Sequence, residues 1–112
     1  MSKIKQNDST IVAIATPPGV GAIAVIRVSG PEAFRIVDSV FNAKGKTIHK
    51  AVSHTALFGT IRKGEQILDE VIATVFQGPR SFTGEDTVEI SCHGSTFIQK
   101  EILSLLISKG AT

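Results

Sequence analysis

Pro79-Arg80-Ser81-Phe82-Thr83-Gly84-Glu85-Asp86-Thr87-Val88-Glu89-Ile90-Ser91-Cys92-His93-Gly94-Ser95 begins as a loop and ends as a strand. Its first half carries proline, glycine and acidic residues, the chemistry of a shaped turn. From Thr87 to His93 apolar and polar residues alternate with period two. Val88, Ile90 and Cys92 then share one face, and Glu89, Ser91 and His93 share the other. Three polar groups on one strand face suggest a wet or ligand-lined surface, and a plain solvent-facing sheet surface explains them equally well.

Upstream, Thr10 to Ala15 reads as a β-branched strand stopped by Pro17-Pro18-Gly19. Ala22 to Val28 is apolar at alternate positions on both sides, the pattern of a central strand buried on both faces. Ser29-Gly30-Pro31-Glu32 predicts a helix start through a Ser-x-x-Glu cap with proline in the first turn. The recurrence of Ala33, Phe34, Ile36, Val37, Val40 and Phe41 extends that helix to about Asn42. A polar connection over 43–51 follows, then a weak strand from Ser53 to Ile61 and a hairpin turn at Arg62-Lys63-Gly64-Glu65. Leu68 to Phe76 is the next strand, with Val71, Ala73 and Val75 on one face. Residues 77–87 form a loop long enough to invite a functional reading.

Downstream, Thr96-Phe97-Ile98-Gln99 predicts the start of a second helix with Ile98, Ile102, Leu105 and Leu106 in one stripe and Gly110 as its C-terminal cap. The order β-β-α-β-β-β-α gives an α+β fold: a mixed, mostly antiparallel sheet carrying two main helices. The 112 residues suit one domain, 1–112, with 42% apolar residues adequate for a single core and residues 1–9 reading as disordered. The chain ends two residues past the last cap, which reads as the N-terminal piece of a longer protein. No membrane span and no signal peptide is expected, which makes cytoplasmic the default location.

The net charge is +2, and the densest basic group, Lys44, Lys46 and Lys50, has no interleaved aromatic residues, so it reads as a solvated loop. Two apparent motifs fail on context. Gly19-Val20-Gly21-Ala22-Ile23-Ala24 fits G-x-G-x-x-A, but a strand follows where dinucleotide binding needs a helix. Gly45-Lys46-Thr47 resembles the end of a P-loop, yet the required earlier glycine is Val40, so the chain carries no GTPase motif. A single cysteine excludes an internal disulfide. Cys92 and His93 have no second pair at ligand spacing, with His49 and His54 in or near loops, so no metal site is expected. Cys92 and His93 are also neighbours on a strand and point to opposite faces, which does not suit a nucleophile–base pair; no catalytic residue is assigned.

Two charged residues remain. Arg27 stands near the end of an apolar strand, where its guanidinium must be paired or solvated at the rim. Structural pairing with a carboxylate and capture of an anionic or carbonyl-bearing ligand are both open. Glu89 is a poor strand former between β-branched neighbours. A carboxylate fixed on a strand suits a ligand that offers two adjacent N–H donors, such as the edge of a pterin ring. A plain solvent-facing sheet surface is the competing reading.

Thr16-Pro17-Pro18-Gly19, Ile26-Arg27-Val28-Ser29-Gly30 and the Pro79–Ser95 block together resemble the N-terminal domain of the MnmE/TrmE family of tRNA modification GTPases. The likeness covers essentially the whole chain, with Val20, Ala22 and Ser95 departing from residues common in the family. The resemblance implies a fold like the folate-binding domain of the glycine cleavage aminomethyltransferase. It implies a tetrahydrofolate derivative, such as a 5-formyl or methylene form, as one-carbon donor, and homodimerisation through this domain. It further implies a whole protein that hydrolyses GTP, with GTP, magnesium and potassium in a separate GTPase domain, and that works with an FAD-dependent partner on the wobble uridine of tRNA. By motif, Arg27 and Glu89 fall on folate-binding positions, and others, including a lysine, lie beyond Thr112. A purely structural dimerisation domain is the main alternative, and a folate-dependent transferase acting alone is a third.

Overall fold

The computed structural model describes residues 9–17, 21–79, 81 and 84–112. Its elements are β1 (Ile11–Ile14), β2 (Ile23–Ser29), α1 (Ala33–Asp38), β3 (Phe41–Asn42), β4 (Thr55–Lys63), β5 (Gln66–Phe76), β6 (Thr87–His93) and α2 (Thr96–Ser108). The strands form one six-stranded sheet in the order β1-β2-β6-β5-β4-β3, and every neighbouring pair is antiparallel. This is the expected α+β architecture with helices against a mostly antiparallel sheet, and no parallel pair occurs among the described residues. No helix of the described residues is long and apolar enough to cross a membrane.

The alternation read in the sequence places the core. Val88, Ile90 and Cys92 of β6 lie beside Ala24, Ile26 and Val28 of β2 and Val71, Ala73 and Val75 of β5, all buried. Ala33, Ile36 and Val37 of α1 and Ile102, Leu105 and Leu106 of α2 close over the same face. Each such aliphatic side chain contributes about 1.5–3 kcal/mol by leaving water. Register is enforced as strongly, because a slip of one residue would carry the whole apolar set to the other face.

The structure corrects the first helix. It runs only from Ala33 to Asp38, and Ser29 is its cap in neither position nor bonding. Ser29 closes β2 opposite Thr87, and its hydroxyl engages Thr87 Oγ1 at 3.1 Å. The start of the helix is instead served from the residue before β1, where Thr10 Oγ1 accepts the Glu32 amide at 2.9 Å. The far end stops early because Phe41 and Asn42 pair with Ile61 and Thr60 as a short edge strand that the sequence pattern did not reveal. A helical period and a strand start overlap in those residues, and the edge of β4 decides between them.

A second correction concerns β2. From Ile23 to Val28 its residues are buried on the helix side only; on the other side Ile23 is 65% exposed and Val25 and Arg27 are partly exposed. The continuous apolar run therefore marks a strand whose outer face is greasy, not one enclosed by two layers. At α2 the cap is Ser95, one residue before the expected Thr-x-x-Gln, with its hydroxyl accepting the Ile98 amide at 3.0 Å. Gly110 ends that helix as expected: at φ +122° it donates to Ile107 O, and Ala111 donates to Leu106 O, a Schellman closure.

Gly94, which follows β6, is required by close approach. A Cβ there would stand 2.1 Å from the carbonyl oxygen of Gly21. Gly64, at φ +61° in the β4–β5 turn, faces open space. Gly94→Ala should destabilise the domain by roughly 1–3 kcal/mol through backbone overlap. Gly64→Ala should cost about 1 kcal/mol through its left-handed conformation alone. Urea denaturation of the two variants checks the ranking, and a Gly94→Ala midpoint at or above that of Gly64→Ala would contradict it.

Candidate functional site on the open face of the sheet

Because both helices occupy one face, the other face of the sheet is left to side chains from alternate positions. Four cross-strand rows lie on it. Arg27, Glu89 and Thr74 stand side by side on β2, β6 and β5. Next to them, Val25, Ser91, Ile72 and Phe58 form a row, and Ile23 stands opposite His93 beyond it. Ser29, Thr87 and Phe76 make the row on the opposite side of Arg27 and Glu89.

Arg27 and Glu89 are directly paired across β2 and β6. Arg27 Nε donates to Glu89 Oε2 at 2.9 Å, and Nη2 lies 2.8 Å from the same oxygen. Their side chains are 30% and 27% exposed, so the pair is neither solvated freely nor sealed off. Of the two readings open for Arg27 in the sequence, pairing with a carboxylate is present, and the carboxylate is Glu89 itself. The guanidinium fixes one oxygen of Glu89 in the plane of the site while both groups keep a face toward solvent.

The Ser29 end of this face is walled by the loop after β5. Ser29 and Thr87 are buried, Ser29 Oγ reaches Glu85 Oε1 at 3.5 Å, and Thr87 Oγ1 donates to the Glu85 carbonyl at 3.1 Å. Asp86 anchors the loop from both sides: Oδ1 accepts the Gly78 amide at 3.0 Å and its carbonyl accepts the Gly30 amide at 3.0 Å. Ser81 donates its hydroxyl to the Glu85 carbonyl. Glu85 and Asp86 thus shape the turn, as their position suggested; Arg80, Phe82 and Thr83 lie outside the described residues, as do Pro18, Gly19 and Val20 of the G-x-G-x-x-A stretch.

The opposite end is open and apolar. Ile23, Phe58 and Ile72 are 65%, 67% and 44% exposed. They line a cavity of about 200 Å³ together with Glu70, Val71, Ser91, Cys92 and His93. His93 is anchored by a residue the sequence did not single out. Asp69 Oδ2 accepts the His93 backbone amide at 2.8 Å, and Oδ1 lies 2.6 Å from His93 Nδ1. Asp69 is twenty-four residues distant in the chain, so only the β5–β6 pairing could reveal the contact.

Cys92 is buried on the helix side of β6, as a small apolar residue would be. Burial pushes its thiol up to about 11, and the Asp69 carboxylate adds to the shift. Among the described residues no group of His, Cys, Asp and Glu gathers that could hold a metal. His49 is engaged elsewhere, with Nδ1 2.5 Å from Asp38 Oδ2, where it secures the connection between β3 and β4.

Residues 10–112 match the family model described as the GTP-binding protein TrmE N-terminus. The chain belongs to that family. It is 57% identical over 107 residues to the tRNA modification GTPase MnmE of Christiangramia forsetii, covering 95% of this chain and 22% of that protein. Against the protein of the same name from Cytophaga hutchinsonii it is 57% identical over 108 residues, covering 96% and 23%. Against that of Chlamydia abortus it is 48% identical over 106 residues, covering 95% and 23%. The chain therefore spans less than a quarter of the relatives it matches, as a TrmE N-terminal domain does. The family resemblance read from the three motifs is thereby shown.

Two measurements probe the site without any ligand. A double-mutant cycle of Arg27→Met and Glu89→Gln should return a coupling of about 0.2–1 kcal/mol, the range for partly exposed cross-strand pairs. A larger value from the urea midpoints would mean that the pair is a principal support of the fold. For Cys92, a thiol raised from its ordinary value of 9.0 to about 11 should alkylate roughly a hundredfold more slowly than an ordinary thiol at pH 8. Because the folded-state value is raised, this thiol's contribution to stability is present below about pH 9 and is lost as pH climbs toward 11. The urea midpoint should fall more steeply over that interval in the wild type than in Cys92→Ala, and parallel slopes would refute it.

Proposed function

We propose that this domain binds a reduced folate on the open sheet face and pairs with a second copy of itself, within a longer protein that modifies the wobble uridine of tRNA. The reading rests on one observation above all: Glu89, held by Arg27, stands in the middle of a sheet face that no helix of the described residues covers. Glu89 accepts hydrogen bonds from the N–H edge of the pterin ring. Arg27 orients that carboxylate and contacts oxygen-bearing groups of the ligand. The residues fit such a ligand, since a half-buried carboxylate on a rigid strand, flanked by exposed Ile72 and Phe58, offers both a directional acceptor and an apolar floor.

In this reading the folate, in a 5-formyl- or methylene-tetrahydrofolate state, supplies a one-carbon unit. The GTP hydrolysis named in the relatives belongs to a separate domain, with its GTP, magnesium and potassium. The FAD-dependent partner and the tRNA meet the whole protein, which acts in the cytoplasm. This domain itself contributes ligand binding and assembly and no catalytic residue. The alternative, a dimerisation domain without a ligand, draws on the same exposed Ile23, Phe58 and Ile72, which a second copy could cover.

Calorimetric titration with 5-formyltetrahydrofolate separates the two. Wild type should bind, and Glu89→Ala should lose at least tenfold in affinity, the scale of one charge-assisted hydrogen bond. Equal affinities would remove Glu89 from the site. Dimerisation with no folate affinity, in a chain extended past Thr112, would favour the scaffold.

A further inference from the structure

We infer that the β3–β4 edge of the sheet is a contact surface for the phosphate backbone of RNA, formed by Arg62, Lys63 and Lys109 at one end and Lys44, Lys46 and Lys50 at the other. The choice of RNA among polyanions rests on the proposed function. The surface itself rests on the fold, and β5 separates it from the strand that carries Glu89.

In the sequence Lys44, Lys46 and Lys50 stand alone in a polar connection, and Arg62, Lys63 and Lys109 belong to other segments. The pairing of Phe41 with Ile61 and of Asn42 with Thr60 brings them to one edge. Two cavities border it. One, of about 450 Å³, has Arg62, Lys63 and Lys109 in its lining, beside Ser39 and Ser108 at the ends of the two helices. The other, of about 430 Å³, has Lys46 and Lys50 in its lining, beside Thr55 and Leu57 of β4. Lys44 stands between them, in the turn closed by the Ala43–Lys46 bridge. Among the described residues no carboxylate lines either cavity. The stretch of β4 between them spans roughly 20 Å, enough for several successive phosphates.

These cations are not spent on the protein itself. Among the described residues the ion pairs join Arg27 to Glu89, Arg35 to Glu32, His49 to Asp38 and His93 to Asp69, and none of the six takes part. Nor are their charges needed at the helix ends. The carbonyls of Arg35, Ile36 and Val37 accept from the Ser39 amide, the Ser39 hydroxyl and the Val40 amide. Those of Leu105, Leu106 and Ile107 accept from the Ser108 hydroxyl and from the amides of residues 109–111. Arg62 uses only Nε, which donates to Thr60 Oγ1 at 3.3 Å. The lysine-bearing connection is held in place: Asp38 Oδ1 accepts the Ile48 amide at 2.7 Å, Oδ2 accepts the His49 amide at 3.1 Å, and the Ile48 side chain is buried. Cations fixed along one edge without internal partners suit a polyanion. Phe41 is the one aromatic ring lining either cavity, and it is buried. The edge therefore reads phosphates and not bases, so its binding is indifferent to sequence and steeply dependent on salt.

Fluorescence anisotropy with a labelled RNA hairpin of arbitrary sequence tests this on the 112-residue chain. A plot of log affinity against log salt should fall with a slope of about −4 to −5, the value for six phosphate contacts. The double variants Lys63→Gln/Lys109→Gln and Lys46→Gln/Lys50→Gln should each make that slope shallower by about 1.5 and weaken binding roughly tenfold at low salt. Lys100→Gln, which alters α2 away from the edge, should change neither, and matching urea midpoints show that all variants are folded. No binding at low salt, or equal slopes in wild type and both double variants, overturns the surface. Polyglutamate competing as well as RNA at equal charge assigns the edge to an acidic protein and overturns the RNA reading. Affinity for 5-formyltetrahydrofolate should be the same in wild type and the double variants. If wild type binds RNA as described and shows no folate affinity, the edge stands and the folate reading falls.

Discussion

Strand β6 is hydrogen-bonded on both edges, to β2 on one side and β5 on the other, and its apolar side is sealed by two helices. Val88, Ile90 and Cys92 cannot leave that side without exposing the middle of the core. Glu89, Ser91 and His93 are therefore forced onto the opposite face with the rigidity of the sheet behind them. The candidate site is the reverse side of the core: the same alternation that buries three residues presents the next three.

That constraint also explains why the polar groups come in oriented pairs. A charged side chain on a sheet face has a fixed neighbour opposite it, and for Glu89 that neighbour is Arg27. His93, at the end of β6, has lost its ladder partner on β5, and Asp69 supplies a side-chain substitute that holds backbone and ring together. At the other end, Asp86 and Glu85 tie the loop to β2 and to Gly78. The face is thus walled at one end, charged in the middle and apolar at the other end. Such a gradient gives an elongated amphipathic molecule a single sensible orientation.

Much of this was legible in the residues. The period of two in Thr87–His93 and in the Val71, Ala73, Val75 set gave strands and faces correctly, because burial on one side leaves a direct trace in the alternation. The apolar run of β2 misled, since Ile23 and Val25 are apolar on a face that no layer of the described residues covers. The Ser29 capping signal misled for a different reason: the hydroxyl was drawn to Thr87 across the sheet, and Thr10, just before β1, took over the helix start. Local motifs give way when a distant partner offers a better bond.

By itself the sequence determined the α+β class with two helices, the main strands, the family, and the two residues Arg27 and Glu89 as the charged centre of interest. Those follow from periodicity and from motifs that are contiguous in the chain. Only the tertiary structure decided that Arg27 and Glu89 are partners, that Asp69 holds His93, and that the Phe41–Asn42 segment leaves its helix for the sheet. The reason is separation: the members of the first pair are sixty-two positions apart in the chain and those of the second twenty-four. Antiparallel register, which no local pattern encodes, is what sets them side by side.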